Sequence, residues 1–481
     1  MKGNFGDEFT ELLCMADLLY RIRRQVGSAM DNEFLLTSKW ARRLYHECAQ
    51  DLPIIDYHNH LSMADIAADR EFENITRLWI SPDPYKHRAM RILGIPERYI
   101  TGDGSDYEKF AQWYCCLPRL AGNPLYHWSL MEMDKVFGIT LSPFGTDPRP
   151  VWEQANEALR TMSARKILEK FNIEYCAPCT SLTDDLGLFG RYKGICPSLR
   201  GDDIIDVKAA FINRLEEAAD MEIESLEAYR EAARKRLLVF LEKGCRFSYH
   251  ALDEGFRYFP DDGKNDERFL AARRGKPLEK VDRQHLSSYI LKMMAELYAQ
   301  YGLIMQLHMG AERKTSTRLY HLAGPAGGYA AIGSPMDVKM LTGMLDDMEQ
   351  GKYGLPKILL FVLNPADNAA ASVLSGSYSK DGVEALISQG PAWWWCDHYQ
   401  GIKDMLNSFS AFSVMSVFAG MTTDSRSLLS FVRHDYFRRI LCQWMGEKVQ
   451  EGILPDDFGI LSDTVKRMCY ENARKMVKED T

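Results

Sequence analysis

Apolar residues along this chain gather into short continuous runs, separated by longer stretches with helical spacing. The runs are Pro53–Tyr57, Ile173–Pro178, Tyr192–Cys196, Cys245–Tyr249, Leu303–Leu307, Lys357–Leu363, Glu384–Gln389 and Phe412–Met421. Runs of this length predict strands buried on both faces. Amphipathic patterns lie between most of them, as from Asp206 to Lys243 and over Ser287–Tyr301. Alternating strands and helices predict a parallel sheet, because parallel neighbours need crossover connections. Eight such units predict an α/β fold, a (β/α)8 TIM-like barrel. The stretch from about 61 to 170 is dominated by helical periodicity and aromatic residues, and is expected as a helical insertion after strand one. Before strand one, Thr37 is placed to cap an amphipathic helix over Ser38–Gln50. The alternative, an open doubly wound sheet, wants a glycine-rich turn after its first strand. None follows Tyr57.

At 481 residues the chain suits a single barrel domain, 1–481, carrying that insertion. Hydrophobic residues make up 46% and charged residues 26%, enough to bury a large core. The net charge of −8 is spread along the chain without a basic block, which argues against nucleic-acid binding. An anionic substrate must then be met by individually placed arginines rather than by the overall field. No apolar stretch approaches the roughly 20 residues that span a bilayer, and Met1–Glu8 has no leader pattern. Eleven cysteines, odd in number and scattered, do not form a disulfide framework. A reduced, cytoplasmic protein without a membrane partner is expected. Cys176 and Cys179 have redox or zinc spacing, but lie in an apolar run without a second pair, and are read as buried structural thiols.

The unusual polar residues fall at the C-terminal ends of the expected strands, where barrel active sites are built. His58 and His60 follow strand one, Arg200 follows strand three, and His250 and Asp253 follow strand four. His308 ends strand five with Arg313 in its loop. Asn364 and Asp367 follow strand six, Trp393 to Trp395 strand seven, and Asp424 and Arg426 strand eight. Residues i and i+2 of a strand point the same way, so His58 and His60 can present two imidazoles to one ion. Asp424 would supply a hard oxygen, completing a three-ligand site with an open position for substrate. Competing readings stay open: Asp424 as a helix cap, Arg426 paired with a neighbouring acid, His308 as a core histidine, and the tryptophans as core packing or a sugar-stacking wall. Arg433, His434, Arg438 and Arg439 are read as structural or interface charges.

Several blocks together resemble the uronate (glucuronate) isomerase family of the amidohydrolase superfamily. They are Phe34–Leu36 with Ala41–His46, Asp56–Leu61, Tyr85 with Arg88–Arg91, Gly122–Trp128, Leu363–Asn368 and, most specifically, Gly420–Cys442. The resemblance implies a distorted barrel holding one divalent metal ion, typically Zn2+, through His58, His60 and Asp424. It implies interconversion of D-glucuronate with D-fructuronate and of D-galacturonate with D-tagaturonate, in a homo-oligomer. Asp424, Arg426 and Tyr85 would be catalytic, while Arg200, His308, Arg313 and Trp394 would bind the hexuronate. The chain departs from the family pattern at Pro84, Cys179–Asp185, Lys314–Thr317 and Cys396–His398. A metal-dependent hydrolase and a non-catalytic uronate-binding protein are the alternatives.

Overall fold

The computed structural model describes residues 32–141 and 147–478. Met1–Glu8, on which the absence of a leader was argued, lies outside them. Seven strands form one curled sheet: β1 (Ile54–Asn59), β2 (Ile173–Ser181), β3 (Ser198–Arg200), β4 (Phe247–Leu252), β5 (Ile304–Met309), β8 (Ile358–Val362) and β9 (Ile387–Gln389). Every neighbouring pair is parallel, and the spatial order follows the chain. A two-stranded antiparallel ribbon, β6 (Ala311–Glu312) with β7 (Ala331–Ile332), stands beyond β5. Tyr57, Tyr175, Phe247, Ile304, Leu359 and Phe361 fill the interior of the curl, and a larger cluster packs its outer face against the helices.

The eighth expected strand, Phe412–Met421, does not form. Helix Tyr399–Phe412 occupies its start, a short 3₁₀ turn covers Met415–Val417, and the chain then runs irregularly to Asp424. This stretch nevertheless closes the curl beside β1: Asp424 N donates to the His58 carbonyl (3.1 Å) and His60 N to the Ser425 carbonyl (2.8 Å). Regular pairing fails because the His58 N–H is taken by the Thr422 hydroxyl (2.9 Å) and because Gly420 and Asp424 adopt positive φ. The expected strand at Tyr192–Cys196 is likewise a single bridge, Cys176 to Ile195. Gly194 there has φ +83° and Pro197 lacks a donor, so the ladder starts only at Ser198.

Helices fill the segment between β1 and β2, including Pro84–Ile92, Asp106–Cys116, Pro124–Phe137 and Arg149–Leu159. The N-terminal helix begins one residue later than expected. Ser38, not Thr37, is its cap, accepting from Ala41 N, while the Thr37 hydroxyl accepts from Gln443. Helix Val432–Gln450 is largely buried behind β1. Arg438 donates to the Leu52 and Pro53 carbonyls (2.8 Å each), tying that helix to the start of the strand. The ten cysteines among the described residues are free thiols. No described helix is long and apolar enough to cross a membrane.

Candidate active site and metal centre

The site is built around a buried carboxylate that faces away from it. Asp56 is fully buried in β1; its Oδ1 accepts from the Thr422 hydroxyl (2.9 Å), Thr423 N (2.7 Å) and His434 Nε2 (3.1 Å). Its Oδ2 accepts from the Thr423 hydroxyl (2.9 Å) and Asn59 Nδ2 (2.8 Å). A carboxylate without a counter-cation is tolerated in the interior only when its lone pairs are filled, and here five donors fill them. The effect is to pin the Thr422–Asp424 segment to β1, across 366 residues of sequence.

A break in register between Asp56 and Asn59 does the aiming. A bulge lets two consecutive side chains share a face. Tyr57 stacks on Phe247 inside the curl, and His58 also turns inward, packing on His308 (4.4 Å between ring centroids), Tyr249 (5.0 Å) and Phe361 (6.1 Å). His60 points to the same mouth. Asp424, at φ +46°, directs its carboxylate between the two imidazoles: Oδ1 lies 3.0 Å from His58 Nε2 and 3.2 Å from His60 Nε2. The Asp424 carboxylate oxygen thus lies within hydrogen-bond distance of both imidazoles.

The donor chemistry fits a divalent cation. Ligand atoms bonded at about 2.0–2.2 Å in tetrahedral array stand roughly 3.4 Å apart, close to the spacings seen. The two histidines hold the Asp424 carboxyl well below its usual range despite burial, so it is ionised. Burial pushes His60 down to about 4, leaving it neutral and ready to ligate. Burial opposes protonation of His58 too, but Cys179 and Asp424 outweigh it and raise that group to about 10. The proton is what a metal ion would displace. Cys179 Sγ lies 3.5 Å from His58 Nδ1, and His58, His60 and Cys179 form the metal-capable cluster of histidine and cysteine donors. Of the Cys176/Cys179 pair, only Cys176 is a fully buried thiol, 3.2 Å from Asn59 Nδ2; Cys179 faces the site.

Beside these donors opens a cavity of about 620 Å³, lined among others by His60, Tyr85, Arg200, Arg313, Trp394 and Arg426. The volume lies within the range of small-molecule sites. Arg313 Nε bonds both oxygens of Asp253 (2.8 Å each) and its Nη2 reaches the Tyr249 hydroxyl (3.2 Å). Arg200 Nε bonds Asp202 (3.0 Å). Both arginines are more than a third exposed, so their outer N–H groups remain free to bind an anion.

A family model for glucuronate isomerase matches residues 26–477. The chain belongs to the glucuronate isomerase family. It is similar to the uronate isomerase of Vibrio vulnificus, with 38% identity over 466 residues, 93% of this chain and 98% of that one. The uronate isomerase of Bacillus licheniformis is 37% identical over 457 residues, 92% of this chain and 96% of its own. Among solved structures, the uronate isomerase of Thermotoga maritima superposes with a TM-score of 0.85 at 27% identity, over 92% of this chain and 98% of that one.

Within this family site, the predicted residues divide. His58, His60, Asp424, Tyr85, Arg426, Arg200, Arg313 and Trp394 come together around one mouth. His308 lies one layer deeper, stacked on Phe361 and 4.4 Å from the Trp393 ring; both of its ring nitrogens are buried without a partner, and burial drives its pKa well down. Asp424 does not cap a helix; Ser427 caps the turn that follows. His250 is not at the site: it sits within β4 and points outward to the Tyr298 hydroxyl (2.9 Å). Gly201 permits this, since a Cβ there would meet the His250 ring at 2.0 Å. Asn364 and Asp367 instead anchor Gly333 and Met336. Missed were Asp56, Cys179 and Tyr249. Tyr249 stands two residues after the inward Phe247, so strand period would have flagged it, whereas the register break turns Asp56 away from the face of His58 and hides its role from that period.

Proposed function

We propose that this chain interconverts D-glucuronate with D-fructuronate and D-galacturonate with D-tagaturonate at this mouth. The proposal includes one divalent metal ion, Zn2+ by its two-imidazole, one-carboxylate donors, held by His58, His60 and Asp424. Such an ion supplies a Lewis acid for the oxygens of an open-chain sugar acid. The observation that carries the reading is the convergence of Asp424 on His58 and His60 beside a cavity bearing Arg200 and Arg313.

Aldose–ketose isomerisation removes the C2 proton, passes through an enediolate and delivers a proton to C1. Asp424 is ionised and points into the mouth, the state needed to accept that proton. Tyr85 lines the cavity with a buried hydroxyl that has no partner, suited to exchange a proton with the substrate's O1 or O2. Arg426 lines the same cavity and offers positive charge to the developing oxyanion. Arg313 and Arg200, each steered by one acid, are placed to fork onto substrate oxygens. The indole of Trp394, 5.4 Å from the Arg313 guanidinium, completes that wall. His308 backs His58 and fixes its ring plane. We assign the reaction to the cytoplasm, a reading that the ten free thiols among the described residues support.

Incubation of metal-analysed protein with glucuronate and, separately, galacturonate tests the reading. The ketouronate should appear by NMR in both, and solvent deuterium should enter the product. Clean hydrolysis of an amide or ester with no isomer exchange would instead support a hydrolase.

A further inference from the structure

Under the floor of the cavity lies a charged group that this chemistry has not yet used. Arg433 is 1% exposed and lies against two aromatic rings that meet edge to face: its Cζ is 4.5 Å from the Tyr85 ring and 4.2 Å from the Trp128 ring. Nη1 donates to Asp397 Oδ2 (3.1 Å) and to the Thr423 carbonyl (3.2 Å), next to the ligand Asp424. Nε and Nη2 have no partner, and neither does the Tyr85 hydroxyl. A buried guanidinium edge without an acceptor is costly unless something negative comes to face it. The other charges packed around it are already committed. Lys86 is fully buried and binds Asp83 (2.5 Å) and Glu132 (3.1 Å). With Asp397, these make three acids against two bases, so the set is neutral when one carboxyl keeps a proton.

We propose that Arg433, held by Asp397, is a positioning residue for Tyr85: its unpaired edge receives the negative charge when the Tyr85 hydroxyl gives up its proton. The inference rests on the role assigned to Tyr85 above. Burial and Asp397 both push the Tyr85 phenol well above its usual range, and the Arg433 charge opposes them. Burial raises both Asp397, to about 7, and Glu132, so the proton of the set lies on one of these two carboxyls. Without Arg433 the phenol would be held still more firmly in its neutral form.

The test is a double-mutant cycle between Arg433→Gln and Tyr85→Phe, reading kcat and KM on a hexuronate with the metal-loaded chain, and confirming one metal per chain. Arg433→Gln should lower kcat about 100-fold with KM within about 3-fold. In the Tyr85→Phe background the same change should cost less than about 3-fold, because the group it acts through is gone. Arg433→Lys should restore part of kcat. If Arg433→Gln fails to fold, the near-isosteric Asp397→Asn carries the same cycle. It should shift kcat and the pH profile in the parent and leave both unchanged in Tyr85→Phe. Equal losses in both backgrounds would overturn this inference alone. Full activity of Tyr85→Phe would overturn the role of Tyr85, and this inference with it.

Discussion

The two ends of the cavity are held in different ways. At the metal end, His58, His60 and Asp424 sit on a segment stitched to β1 by the buried Asp56 and its five donors, with Arg433 beneath. At the other end, Arg200 and Arg313 are half-exposed, each steered by one acid that is itself partly in water. Buried, saturated networks are rigid and costly to disturb, whereas exposed pairs are worth little and can re-form. The proposed chemistry thus sits on the rigid end, and the proposed contacts to the sugar acid sit on the adaptable one. The departures from the family pattern at Lys314–Thr317 lie beside Arg313, on the adaptable side.

Substitutions should separate the two ends, and the largest effect belongs to the metal end. Asp424→Asn should lower kcat by about 10²- to 10⁴-fold with the far-UV spectrum unchanged; activity within tenfold, with metal bound, would remove its catalytic role. Next comes Asp56→Ala, which strands the Thr422, Thr423 and His434 donors. It should cost about 3–5 kcal/mol in urea unfolding and weaken metal retention, as loss of a buried charged hub does. Stability within 1 kcal/mol of the parent would show that the hub is not what pins the segment. Arg313→Gln should behave oppositely, raising KM by about 10- to 100-fold, a loss of about 1–3 kcal/mol of binding, with little change in melting temperature. A fall in kcat at constant KM would place Arg313 in the chemistry instead.

The framework carries a milder sensitivity to acid that the arginine end lacks. Burial holds His87 and His250 down to about 4. Unfolded, each takes up a proton near pH 6.5, so the unfolded state binds more protons between about 6.5 and 4. Stability should therefore fall as pH drops through that window. A melting temperature flat from pH 7 to 4.5 would contradict the burial of these neutral imidazoles.

How much of this was legible in the sequence follows the same division. Two histidines and an aspartate could be paired across the chain because strand period and the polar ends of apolar runs are local signals. The layout of parallel strands was legible for the same reason. The irregular eighth segment was not, since Thr422 replaces a ladder bond with its hydroxyl, an event that depends on where β1 lies. His250 was misplaced because the side of a strand on which a residue falls is set by register, and only Gly201 opposite reveals the space it fills. Cys179 reads as a buried apolar residue until β2 brings it against His58. Arg433 reads as a structural or interface charge, and its place against Tyr85 shows only when the insertion folds Tyr85 and Trp128 over it.

The most direct measurement is the number of metal ions per chain, by elemental analysis, in the native protein and in the His58→Asn/His60→Asn double variant. One divalent ion per native chain and none in the variant is the result this account predicts. A full equivalent retained by the variant would contradict it.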